Sequence, residues 1–152
     1  ATLAVTNLWQ DDEFLEVDMA GDGRRIAVTV RGLFGYRVKV FDLVTGEART
    51  VAVGCSASLS PDGSLVTVNG GRHDELHLYN WDNLSLAAMI KAPPGLKFDN
   101  QFWSNHPQLL VATSEGEDRD IYLQNWRSNE SLRLTESGDC DRADLHVTGP
   151  LP

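Results

Sequence analysis

The chain has 152 residues, 41% of them hydrophobic, which is enough for one domain with a real core. Its net charge of -9 repels phosphate backbones and anionic bilayers, so neither nucleic acid nor a membrane is expected as partner. No apolar run approaches the roughly 18 residues of a spanning helix, and no basic-then-apolar N-terminus resembles a signal peptide.

The first residue is Ala1 rather than Met, so processing or excision from something longer is expected, and the compartment stays open. Thr2–Leu8 reads as a leftover outer strand, because it precedes the next unit as Arg49–Val53 precedes the one after. Met19-Ala20-Gly21-Asp22-Gly23 then leads into Arg24-Arg25-Ile26-Ala27-Val28. The same order recurs where Leu59-Ser60-Pro61-Asp62-Gly63 leads into Ser64-Leu65-Val66-Thr67-Val68, and where Trp103-Ser104-Asn105-His106-Pro107 leads into Gln108-Leu109-Leu110-Val111-Ala112. Ala20, Ser60 and Ser104 are 40 and 44 residues apart. A second anchor agrees: Val38–Leu43, Leu76–Trp81 and Ile121–Trp126 resemble one another, with Asp42, Asn80 and Asn125 spaced by 38 and 45.

The second copy shows the strands most plainly, at Cys55–Ser60, Ser64–Val68, Glu75–Trp81 and Ser85–Ile90. In the third of these, His77, Tyr79 and Trp81 alternate with Leu76, Leu78 and Asn80, the period of a strand. Pro-Asp-Gly suits a tight turn, since Pro fixes φ and Gly accepts positive φ. Val44-Thr45-Gly46-Glu47 and Trp81-Asp82-Asn83-Leu84 fall where the next hairpin turn belongs. No segment has a helical period. Four short strands per unit of about 40 residues make a propeller blade. The fold class is therefore all-β, with propeller blades of four antiparallel strands, about three full blades plus single strands at each end. As one partial propeller domain over 1–152, the repeats run at about 14–53, 54–94 and 97–136, with an incomplete fourth copy at about 139–152 in which Asp144–Thr148 is the inner strand.

Ser-Pro-Asp-Gly before an apolar strand, then a strand ending in Asp or Asn, then one ending near Leu134-Thr135, resembles the TolB-like, WD-like β-propeller repeat over about residues 14 to 135. The first copy lacks the Ser and Pro, the third has His106-Pro107 in place of Asp-Gly, and Trp81-Asp82 falls one position late for a eukaryotic WD repeat. The resemblance implies a fold and a habit of binding, not a reaction, and suggests the bacterial envelope or periplasm. Propellers close with typically four to eight blades. Three repeats leave an arc with two exposed blade faces. It is expected to be part of a longer propeller, or to close a six- to eight-bladed ring as a homodimer.

Asp22 and Asp62 occupy matched turn positions and read as turn residues rather than metal ligands. Cys55 and Cys140 belong to blades two apart and are expected to be free thiols. His73, His77, His106 and His146 form no zinc motif, with His106 in a turn. The acidic stretches Asp11–Glu13, Glu115–Asp120 and Asp139–Asp144 read as solvated loops. The last lacks the central Gly of a calcium loop and has Pro150 where a Glu belongs. Trp81, Trp103 and Trp126 fall at strand ends that suit blade packing, and Trp9 precedes the first copy. The crossing Pro93–Gln101 is the candidate recognition loop, with Lys97, Asp99, Asn100, Gln101 and Trp103 as candidate ligand-binding residues. Gly54-Cys55-Ser56-Ala57-Ser58 lacks the final Gly of a nucleophile elbow, and no metalloprotease, P-loop or dinucleotide motif occurs. No catalytic residue, metal or cofactor is assigned. The favoured expectation is a non-catalytic module binding a protein, a peptide or copies of itself. Two alternatives are the propeller portion of a hydrolase or polysaccharide lyase, which the resemblance allows, and a purely structural self-assembling arc.

Overall fold

The computed structural model describes residues 13–149. Twelve strands and no helix occur there. They form three separate four-stranded antiparallel sheets, each in simple sequence order. The first sheet holds β1 (Glu13–Met19), β2 (Arg25–Gly32), β3 (Gly35–Asp42) and β4 (Ala48–Val53). The second holds β5 (Cys55–Leu59), β6 (Leu65–Asn69), β7 (Glu75–Asn80) and β8 (Leu86–Lys91). The third holds β9 (Phe98–Trp103), β10 (Leu109–Ser114), β11 (Ile121–Asn125) and β12 (Glu130–Arg133). The first strand of each sheet approaches the first strand of the next, β1 to β5 and β5 to β9, which makes these three the inner strands around the axis of a β-propeller.

The repeated turn between first and second strands has a repeated cause. Gly23 N–H donates to Ala20 O at 2.9 Å and Gly63 N–H to Ser60 O at 2.7 Å. Asp22 Oδ1 accepts from Arg24 N at 2.8 Å, and Asp62 Oδ1 from Ser64 N at 3.0 Å, so each Asp closes an Asx turn two residues on. In the third copy His106 does the same work: its Nδ1 accepts from Gln108 N at 3.2 Å. Gly63 has φ of +69°, and a Cβ there would meet the Arg25 side chain at 2.8 Å, so no other residue fits that turn without strain.

The turn between third and fourth strands repeats too. Gly46 N–H donates to Asp42 O at 2.8 Å and Leu84 N–H to Asn80 O at 2.9 Å. Gly46, Leu84 and Asn129 occupy one left-handed position, at φ of 73°, 55° and 58°. The Asp or Asn ending each third strand anchors it: Asp42 Oδ1 accepts from Val44 N, and Asn125 Oδ1 from Arg127 N. Asp42 also takes Arg24 in a fork at 2.7–3.0 Å, which holds its carboxyl well below the usual carboxylate range.

Two cores lie between the sheets. Ala27, Val38, Val40, Leu59, Val66 and Val68 fill the seam between the first and second, closed by Trp81. Leu65, Leu76, Leu78, Ile90, Phe98 and Leu110 fill the seam between the second and third, with Trp103 and Tyr122. Strand alternation produces both: Val66 and Val68 face one neighbour, Leu65 and Thr67 the other. Each buried Val, Leu, Ile or Phe side chain contributes about 1.5–3 kcal/mol relative to exposure. Trp81 and Trp103 are thus blade-packing residues, and Trp126 lies partly buried against the second core. Trp9 and the strand expected at Thr2–Leu8 lie outside the described residues.

The inner strand expected at Asp144–Thr148 is not formed; those residues carry no strand. A strand needs a hydrogen-bonding neighbour, and none runs beside this one among the described residues. Its place is nonetheless held by a side chain: Val147 N–H donates to Asn105 Oδ1 at 2.7 Å, and Asn105 Nδ2 donates back to Val147 O at 3.1 Å.

Candidate functional site

The inner strands end in a hollow of about 510 Å³ at the axis. Asp18 of β1, Ser60 and Trp103 at the ends of β5 and β9, Asn105, and the returning residues Arg142 and Asp144 are on its wall. Asp18 is held in place from two sides: its Oδ2 accepts from Leu59 N at 2.7 Å and its Oδ1 from Met19 N at 2.8 Å. Burial pushes its carboxyl above the ordinary Asp value, although both backbone donors act against the rise. Below lies a smaller chamber of about 170 Å³, whose wall includes Glu16, Ser56, Asn100, Gln101 and Arg142. Arg142 Nη2 stands 3.9 Å from Glu16 Oε1. Glu16 Oε2 and Gln101 Oε1 are buried there with no hydrogen-bond partner.

The five residues of the candidate recognition loop do not form one site. Lys97 stands exposed in a different hollow, with its Nζ 3.9 Å from Glu115 Oε2. Asp99 serves through its backbone, where its oxygen accepts from Ser56 Oγ at 2.9 Å and Asn69 Nδ2 at 2.8 Å. Gln101 Nε2 donates to Ser56 O. Trp103 Nε1 donates to Thr67 Oγ1 at 2.7 Å. These are latches between blades. Asn100, Gln101 and Trp103 also face the axial hollows, and Lys97 does not.

Sequence reasoning missed Asp18, Asn105 and Arg142, which no motif marks. It also treated Glu115–Asp120 as solvated, whereas Asp120 is buried. Burial raises the Asp120 carboxyl, but bonds from Arg133 at 2.5 Å, Gly138 N and Thr135 Oγ1 outweigh it and hold it below the ordinary value. Cys55 and Cys140 are free thiols. Among the described residues no three His, Cys, Asp or Glu side chains converge as metal ligands. The wall of the axial mouth carries acceptors, donors and one indole, which suit a hydrogen-bonding ligand with an apolar part.

No protein-family model matches the chain. No curated protein sequence matches it either. Solved structures do. The chain superposes on TolB from Acinetobacter baumannii with a TM-score of 0.65 at 19% identity, covering 83% of this chain and 33% of that one. Oligogalacturonate lyase from Vibrio parahaemolyticus gives 0.64 at 11% identity, covering 83% and 42%. Pyrococcus horikoshii acylaminoacyl peptidase gives 0.63 at 11% identity, covering 83% and 25%. The fold is a β-propeller fold of the TolB kind. The chain spans between a quarter and about two-fifths of the length of these three neighbours.

Proposed function

We propose that this chain is a non-catalytic binding arc of a β-propeller, which takes a protein or peptide segment at its axial mouth. The observation that carries this reading is the 510 Å³ hollow where the exposed charges of Arg142 and Asp144 stand beside Trp103, on a wall that Asp18, Ser60 and Asn105 hold rigid through bonds within the chain. An extended peptide offers the matching pattern of backbone donors and acceptors with side chains between them. The ring is completed by further blades, from flanking sequence or from a second copy of the chain.

Selection of a displayed peptide library against the chain tests the reading. Selected peptides are expected to bind in the micromolar range and to lose at least about tenfold in affinity, roughly 1.4 kcal/mol, with Arg142→Glu or Asp144→Lys. No selected peptide, or peptides indifferent to both changes, overturns it. Light scattering separates the two routes to a ring: twice the monomer mass means a second copy, and a monomer means flanking blades.

The likeness to a peptidase and a lyase supports a second reading, in which the arc is the propeller portion of such an enzyme and its mouth faces a catalytic domain. Peptide selection would then return nothing, while a separately produced catalytic domain would bind the same face.

A further inference from the structure

A second site lies away from the axial mouth, at the start of β5. Cys55 Sγ is 3.5 Å from His73 Nε2. On the other side of the ring, His73 Nδ1 is 3.4 Å from Glu115 Oε1. The three come from distant points in the chain: the inner strand of the second blade, the turn before β7, and the turn after β10. A carboxylate at Nδ1 keeps the proton on that nitrogen, so Nε2 turns a lone pair toward the thiol. This order, nucleophile to imidazole to carboxylate, is that of an activated nucleophile.

The backbone is bent to make it. Gly54 has φ of 148°, and a Cβ there would lie 2.4 Å from Asn69 O. Ser56, next after the cysteine, is left-handed at φ of 52°. Cys55 pairs with Asn69, and the register between β5 and β6 shifts just after it, so a bulge at Ser56 and Ala57 follows the cysteine directly. His73 is itself left-handed, at φ of 63°. It is pinned by its N–H to Gly70 O at 2.8 Å and by its own oxygen, which accepts from Phe98 N at 2.6 Å. Three unusual conformations around one thiol are costly, of order 1–3 kcal/mol for a non-glycine residue.

His73 and Glu115 also stand on the wall of a hollow of about 440 Å³ that carries Arg72 and Lys97. Asp74 is on the same wall, so two cations there face two carboxylates.

We propose that Cys55 is a reactive thiol, with His73 as its base and Glu115 orienting that base, and that it forms a mixed disulfide with small organic disulfides. The Cys55 thiol gives its proton to His73 Nε2. The thiolate attacks one sulfur of the small disulfide, a new bond forms to Cys55, and the old sulfur–sulfur bond breaks. The departing thiolate takes the proton from His73. Cys55 is oxidised and the small disulfide is reduced, so no further oxidant is needed. This site goes beyond the peptide-binding reading and does not rest on it. Burial, together with the charges of Glu16, Asp99 and Glu115, pushes the Cys55 thiol above its ordinary value. A buried thiol with no base would therefore be slower than a free one, and that gives the test its sign.

The whole chain is incubated with oxidised glutathione near neutral pH, and each cysteine is followed by peptide mass spectrometry. Cys140 is the internal reference, being equally a free thiol of intermediate exposure. Cys55 is expected to react at least about tenfold faster than Cys140. His73→Asn, chosen because Asn tolerates the left-handed backbone, is expected to bring Cys55 below Cys140 and to leave Cys140 unchanged. Glu115→Gln is expected to give an intermediate rate. Circular dichroism confirms that each variant is folded. Cys55 no faster than Cys140, or a Cys55 rate unmoved by His73→Asn, overturns the proposal.

Discussion

The two seams of the arc are built from different materials. Between the first and second blades the core is mostly Ala and Val, and charged side chains finish the job. Arg25 and Arg49 lie over the Trp81 ring at 5.3 and 5.4 Å from its centroid. They also donate to the carbonyls of Asp62 and Asp82 at 3.2 and 2.9 Å. Between the second and third blades the core is Leu, Ile and aromatic, and buried amides tie the inner strands. Asn69 Nδ2 reaches Phe98 O at 2.5 Å and Asp99 O at 2.8 Å. One repeat position shows the contrast: Thr29, its counterpart in the first blade, takes Ala57 N–H at 3.0 Å instead. Small side chains bring sheets close and bury little area, so the first seam leans on polar rim contacts that water and salt can weaken. The second rests on area and on bonds shielded from water.

The contrast can be broken by mutation, most strongly at the second seam. Trp103→Ala removes the largest side chain there and strands the Thr67 hydroxyl. It is expected to cost about 3–5 kcal/mol in urea unfolding. Next come two truncations: Leu78→Ala, about 3–4 kcal/mol for three carbons, and Val66→Ala, about 1.5–2 for two, so the second seam is expected to lose more per carbon removed. Equal costs per carbon removed would mean that the seams are equivalent. Thr29→Val leaves the Ala57 N–H without an acceptor, for about 1–3 kcal/mol. Asn69→Leu costs less, about 1 kcal/mol, because it also removes the Asn69 Oδ1 acceptor that is buried with no partner.

Acid acts on the charged ties. Asp42 beside Arg24 and Asp120 beside Arg133 both bind a proton less tightly folded than unfolded. The stability they supply is therefore complete above the ordinary carboxylate pKa of about 4, and is lost as pH falls from there through their lower folded values. Asp18 runs the other way: burying its charge costs stability at neutral pH, and the cost is relieved as pH falls through its raised value. Urea midpoints near pH 7, 4 and 3 are expected to fall, and Asp42→Asn to flatten that fall. Smallest is Arg25→Ala, about 0.5–1 kcal/mol from its place over Trp81, expected to shrink as salt is added because the contact lies at the rim.

Much of the fold was legible because its signals are local. The Asp22 and Asp62 turns and the alternation around Leu76 and Leu78 need only neighbouring residues to be read. Even His106, which looks like a break in the pattern, substitutes for Asp chemically through its Nδ1. The sites were less legible because they are assembled across blades. Asp18 meets Leu59 N–H from 41 residues away. Cys55, His73 and Glu115 meet only when two sheets stack. The stretch Lys97–Trp103 mixes polar and apolar groups in a way that suggests recognition. Most of that polarity is spent on the seam, and a sequence does not distinguish an amide that meets a ligand from one that meets the next blade.

The bulge that follows Cys55 has relatives, and together they bear on solubility. Each sheet has two outermost strands whose spare backbone groups invite pairing with another chain, the first step of fibrous aggregation. Register shifts put an extra residue on β1, β4, β5, β8 and β9, five of these six strands. The sixth, β12, is only four residues long and carries Glu130 and Arg133. An interrupted ladder is a poor template for an incoming strand. The outermost strands of the three described sheets are in this way guarded against edge-to-edge growth.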